Sequence, residues 1–371
     1  MADPRIQVVV DAVDRASDKI SQFKDRASGN MEEVARTARK AGVAMTAMGG
    51  AGMIASKKLT DRAIEVEEAY ANVSTMMEEG QRATDVYKES VRELTTSIAT
   101  QGGEIDNINA LYQILSASIT DAEEATAVLE TAMKTATAGV TDTEVAVDAM
   151  TTILNAYNME ASEADRVSDV LFGTVRRGKV RFEELAQSIG MAVPVASEMG
   201  VTIEELNAMI ATLTRNGLQA GRASTYLRQT MSQILSPSSA MADAIEELGY
   251  ESGSAMVEQE GLASSLQMLY EHVGESQEGM AELIPSTRAL SAVMSLVGEG
   301  AQDVQEDLEE LRESSGTMEE AYSKQAETMA GETRKVNRRL EEVRATLGES
   351  TGPAMLRVKE ITASNFNPSK V

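Results

Sequence analysis

Two consecutive stretches, "TDAEEATAVLETAMKTATAG" (Thr120–Gly139) and "TDTEVAVDAMTTILNAYNME" (Thr141–Glu160), decide how this chain folds. Each opens on a hydroxyl side chain with acids close behind. That pattern starts helices, because the first backbone N–H groups lack partners and the helix dipole is positive there. Apolar or small residues then recur at helical spacing, as at Val145, Ala149, Thr152, Ile153 and Tyr157. Each stretch closes on or near Gly or Asn, residues that tolerate a left-handed C-cap. The same unit of about 20 residues runs on. It continues as "SEADRVSDVLFGTVRRGKV" from Ser162, "RFEELAQSIGMAVPVASEMG" from Arg181, "TIEELNAMIATLTRNGLQA" from Thr202 and "GRASTYLRQTMSQILSPSS" from Gly221. A helix of about 14 residues is marginal alone, so these units must stack as antiparallel neighbours.

Composition agrees with an all-α fold. Hydrophobic residues are 42% of the 371, yet aromatics are only 3% and Met reaches 22. Such a core is built from Ala, Leu and Met, good helix formers of small or flexible shape. One strand-like run stands out, "RIQVVVDAV" at Arg5–Val13. The formal net charge of −25 argues against specific nucleic-acid binding, which needs clustered Lys and Arg. An acid excess of this size suits solubility at very high salt, where screening shortens repulsion to a few Å, so a halophilic source is expected. Cysteine is absent, which excludes disulfides and thiolate metal sites. The opening "MADPRIQ" lacks the basic and apolar regions of a signal peptide. The longest uncharged stretch, Ala41–Ser56, falls short of the roughly 20 apolar residues of a spanning helix. It reads as a small-residue packing face or hinge.

Three regions follow from these patterns. Residues 1–65 hold the strand-like opening, an amphipathic helix ("DRASDKISQFKDRA") and the Gly/Ala/Met stretch. Residues 66–300 form the short-helix domain, in which Gly173, Gly178, Gly190 and Gly200 lie in or near the junctions and Pro194 bends or interrupts the fourth unit. Residues 301–371 read as a long charged helix and a C-terminal tail. There, Met329, Thr333, Val336, Leu340, Val343 and Leu347 alternate three and four apart, an a/d seam of under three heptads. The seam serves either self-association or packing onto the chain's own helices.

The search for chemistry yields little. His272 is the single histidine, no G-x-S-x-G elbow or phosphate loop occurs, and "MGGAGMI" lacks a third glycine. Acidic pairs at Glu183 and Glu184, and at Glu204 and Glu205, are explained as first-turn acids. No enzyme, cofactor or metal site is expected. Phe172, Phe182, Leu185 and Ile189 are predicted core residues. The one basic cluster, Arg176, Arg177, Lys179 and Arg181, ends the third unit near a helix C-terminus, where cations are favoured. It reads as punctuation between helices, with docking of an acidic surface as the alternative.

Beyond these patterns, "YQILSASITDAEEA" (Tyr112–Ala125), "AGVTDTEVAVDAMTTILNAYNM" (Ala138–Met159) and the run from Val167 to Ile234 resemble the core of tailed-virus tail tape measure proteins. The ordered features are "LSASI", "NAY", "DVLF-x-TV-x-x-G", "FEELAQSIG-x-x-x-P" and "LT-x-x-G". With "EEAYANVSTM" upstream, the resemblance extends from Glu67 to Ser236 and points to the lactococcal-phage-type branch. It implies a virion protein in the tail tube lumen that sets tube length and leaves ahead of the genome at ejection. The implied partners are further copies of itself (a homotrimer, with a hexamer as alternative), the tail-tip or baseplate hub and distal tail protein, the tube protein and tail assembly chaperones. Membrane contact is expected only at ejection, through Ala41–Ser56. Family members usually continue for hundreds of residues past this core. Here about 60 residues follow in a long-helix pattern, roughly 90 Å at 1.5 Å per residue. A soluble helical-repeat binding module and a membrane-active ejection protein are the competing readings.

Overall fold

Asp121 accepts hydrogen bonds from the N–H groups of Glu123 (3.0 Å) and Glu124 (3.1 Å), and Thr202 accepts from Glu205 N–H (3.2 Å). These side chains satisfy donors that the first helical turn leaves unpaired. The first unit thus starts one residue later than its opening Thr120 suggests. The computed structural model describes residues 49–77, 83–100 and 102–344, with side chains placed for 61–77, 87–100 and 102–344. The expected strand at 5–13, the amphipathic helix and residues 41–48 lie outside the described residues.

The helices are α1 (Gly49–Ser74), α2 (Ala83–Ser97), α3 (Glu104–Ser116), α4 (Ala122–Gly139), α5 (Thr143–Ala156) and α6 (Ala164–Arg177). They continue as α7 (Phe182–Ile189), α8 (Val193–Glu198), α9 (Ile203–Arg215), α10 (Ala220–Leu235), α11 (Ser239–Glu247) and α12 (Gly253–Glu260). After these come α13 (Leu262–His272), α14 (Gln277–Leu283), α15 (Thr287–Val293), α16 (Glu299–Arg312) and α17 (Thr317–Ala326). A short 3-10 turn spans Ala161–Glu163, and a further helical stretch covers 329–344. Among the described residues there is no strand, and the fold they form is all-α.

The molecule divides into two units. One contains residues 73–335; the other joins the described residues up to Asn72 with those from Val336. Within the second unit, Arg62 on α1 meets Glu341 at 3.8 Å, and Glu341 also pairs with Arg338 at 2.7 Å.

In the 73–335 unit α9 is the central element. All its residues except Arg215 are buried, and it packs against α16, α6 and α10. α4 and α5 pack side by side, with α3 against both. Small hydroxyl residues are buried where α6 packs on α4 and on α9: Thr135 Oγ1 meets Ser168 Oγ, and Thr174 donates to Asn207 Oδ1 at 3.0 Å. Thr hydroxyls that also donate to the carbonyl four residues back, as Thr135 and Thr174 do, stay satisfied without solvent. Pro194 falls in the first turn of α8, where a missing N–H costs nothing. The fourth unit is accordingly two helices.

The segment from 301, read as one long helix, is broken. α16 ends at Arg312, Gly316 turns with φ +80°, and α17 restarts. The break is held by Asp169 on α6, which accepts from Gly316 N–H (2.8 Å) and Met318 N–H (2.9 Å). Tertiary capping outweighs local helix propensity here.

Candidate docking site

The basic cluster straddles the end of α6 and the start of α7, and its four members have different surroundings. Arg177 is turned inward: its Nε donates to Asp307 Oδ1 at 2.6 Å and its Nη1 to Glu310 at 3.0 Å. Arg181 pairs with Glu184 one turn on, at 2.8 Å, fully at the surface. Arg176 and Lys179 are exposed and make no ion pair among the described residues. Arg176 and Arg177 line an open cleft of about 300 Å³ whose other walls are Gly173, Glu310, Leu311, Glu313, Ser314 and Thr317. Lys179 and Arg181 lie outside it. The buried Thr317 Oγ1 has no hydrogen-bond partner.

Two glycines make this arrangement fit. A Cβ at Gly173 would lie 2.5 Å from Leu311 Cδ2, so its absence lets α16 approach α6. Gly173 is thus a packing residue within the last turns of α6. At Gly178 a Cβ would lie 2.5 Å from Thr214 Oγ1 and 3.2 Å from Ala211 Cα, which brings the end of α6 onto α9. Of the predicted core residues, Phe182, Leu185 and Ile189 are buried. Phe172 is only half-buried, because α6 turns Val167, Val170, Leu171 and Thr174 inward and leaves Phe172 at the edge.

Behind the cleft lies a charge network that sequence reasoning missed. Asp307 is fully buried on α16 and accepts from Arg177, from Arg215 on α9 (2.9 Å) and from Thr212 Oγ1 (2.7 Å). Glu205 on α9 is buried too, and accepts from Ala263 N–H at 2.8 Å, capping α13 from outside. Burial pushes the Glu205 carboxyl above its ordinary range, partly offset by backbone donors at Ala263 and Leu262. Glu204 takes Arg166 at 2.8 Å. Glu204 and Glu205, which sit in the first turn of α9, therefore also hold other helices, whereas Glu183 and Glu184 bond only Gln187 and Arg181 beside them. A signal for this existed: the N-caps of α13 and α17 are Gly261 and Gly316, with no side chain to cap them.

The seam residues lie on the stretch 329–344. Met329 is 88% exposed, Val336 52% and Leu340 38%. Val343 is half-buried, and Leu347 lies outside the described residues. Among the described residues, no group of His, Asp and Glu is arranged to hold a metal, and no helix is long and apolar enough to cross a membrane.

Comparison with known proteins identifies the family. The family model for phage-related minor tail proteins matches residues 88–289, more than half of the chain, and the chain belongs to that family. Named relatives narrow the class. A probable tape measure protein of Clostridium phage phiCD119 is 25% identical over 329 residues, covering 86% of this chain and 34% of that protein. The tape measure protein of Pneumococcus phage Dp-1 is 24% identical over 221 residues, 58% of this chain and 19% of that protein. A probable tape measure protein of Escherichia phage P2 is 28% identical over 101 residues, 27% of this chain and 12% of its own length. The chain thus spans about a third or less of the relatives it matches. No solved structure matches it.

Proposed function

We propose that this chain does the work of a tail tape measure: it occupies the tail tube lumen, sets tube length, docks on the tail tip and is released at genome ejection. The observation that carries the reading is the alignment of 86% of the chain with a probable tape measure protein, which includes the family region at 88–289. The exposed apolar seam supports association of several copies, since Met329, Val336 and Leu340 recur at coiled-coil spacing. The further partners are the tail-tip hub and distal tail protein, the tube protein and assembly chaperones, with membrane contact confined to ejection.

Within this reading the cleft at Arg176 is the docking site, and Lys179 beside it adds positive charge. An acidic side chain of the tail tip enters between Arg176 and the wall that holds Thr317. Arg176→Glu with Lys179→Glu is expected to block tail initiation at unchanged helicity, because exposed substitutions away from buried features shift stability by only about 0.5 kcal/mol. Electron microscopy of lysates reads the first effect and circular dichroism the second. Normal tails from the double variant would leave these cations as helix punctuation. Mass spectrometry of purified intact tails tests the broader reading, and absence of this chain's peptides would overturn it.

A further inference from the structure

We propose that the outer face of α10 and α15 binds the acidic outer face of α16 in a second copy of this chain. The inference starts from an absence of acid. The chain holds 59 Asp and Glu in 371 residues, yet none falls between Leu206 and Ala242. Among the described helices only α10 and α15 contain no carboxylate, and these two pack on each other. Gln229 on α10 meets Ser286, the N-cap of α15, at 3.4 Å.

The acid-free surface carries three exposed arginines, Arg222, Arg228 and Arg288, none with an ion pair among the described residues. Beside them lies Met191, 44% exposed, whose sulfur is 3.4 Å from Thr225 Oγ1 and whose methyl group borders Gly221. Tyr226 on the same helix is half-buried. Arg, Met and Tyr without Asp, Glu or Lys is the composition of a protein–protein interface and not of a solvated helix face. The cations select an acidic occupant.

α16 is such an occupant. Its outer face exposes Glu299, Glu306 and Glu309, none in an ion pair among the described residues, against one exposed cation, Arg312, while Asp307, Leu308 and Leu311 face inward. Two copies of net charge −25 repel at long range, but at physiological salt the Debye length of about 8 Å leaves the facing charges to decide the contact. The two faces differ, so the contact is head-to-tail, and such contacts close into rings when the rotation allows. The proposal rests on charge placement and stands apart from the tape measure reading.

The absence of cysteine makes a positional test direct. One batch of full-length chain carries Ser232→Cys on α10 and a second, tagged batch carries Gln305→Cys on α16; both positions are exposed. A short bismaleimide should join the mixed batches as a dimer and give little product with either batch alone. Adding Arg222→Glu and Arg228→Glu to the first batch should cut the yield by at least about tenfold, and Glu306→Arg with Glu309→Arg in the second should restore it. Equal yields from single batches, no product from the mixture, or indifference to charge reversal would each overturn the proposal. Association through the 329–344 seam changes total mass without linking these two cysteines, so the two contacts are read separately.

Discussion

Asp307 has no solvent exposure, and three side chains from two other helices donate to it, so α16 is tied to α6 and α9 through one carboxylate. Removing one member of a buried pair costs about 3–5 kcal/mol. Arg177 and Arg215 keep about a third of their side-chain surface in water, which places Asp307→Ala at about 3 kcal/mol. Urea unfolding checks this, and a loss below about 1 kcal/mol would mean that the arginines find water instead. Glu205 gives a pH prediction. Its folded carboxyl is raised above the ordinary value of 4.5, so the folded state holds the proton more tightly than the unfolded chain. The associated stability is present below pH 4.5 and is lost as pH rises through the folded value. The wild type should therefore lose stability relative to Glu205→Gln as pH rises from below 4.5 to 7; a gap constant with pH would contradict the assignment. At this scale the sequence was legible in part. Gly200, Gly217 and Asn158 take the left-handed turns expected of them. Gly139 does not, because its missing Cβ makes room for Phe182, and the left-handed position falls to Val140 (φ +54°). Phe182 lies more than 40 residues away, so no local pattern announces this.

Helix starts and stops are local events, and the chain encodes them in adjacent residues: Asp121, Thr202 and Ser238 cap their own helices. Caps supplied by another helix are invisible to that reading. Asp169 breaks the expected long helix at Gly316 from more than 140 residues away, and Glu205 starts α13 from 58 away. The seam is the reverse case. Its spacing is plain in the sequence, and Met329, Val336 and Leu340 are exposed. Val336→Asp with Leu340→Asp should lower the oligomer mass by light scattering and leave the melting transition near its original temperature. An unchanged mass would assign those residues to some other surface.

At the scale of the whole molecule, the all-α class and the motif order were readable before any coordinates, because short amphipathic helices with few aromatics admit little else. The division at 72 and 335 was not, since Asp307 and Asp169 carry α16 and α17 into the central unit by contacts that no composition shift marks. The basic cluster likewise looked uniform in sequence, while the fold spends Arg177 on a buried partner and leaves Arg176 and Lys179 at the surface. The acid-free run at 206–242 was present in the sequence too, but its meaning depends on α15 packing beside α10. The central claim is that the chain is a ruler, and length is its direct readout. Viruses carrying a deletion of two heptads within residues 333–347, and others carrying one or two tandem copies of that segment, would have their tails measured by electron microscopy over many particles. The account predicts a mean length that falls by about 20 Å for the deletion and rises by about 20 Å per added copy, following 1.5 Å per helical residue. Tails of the same length in every variant would contradict it.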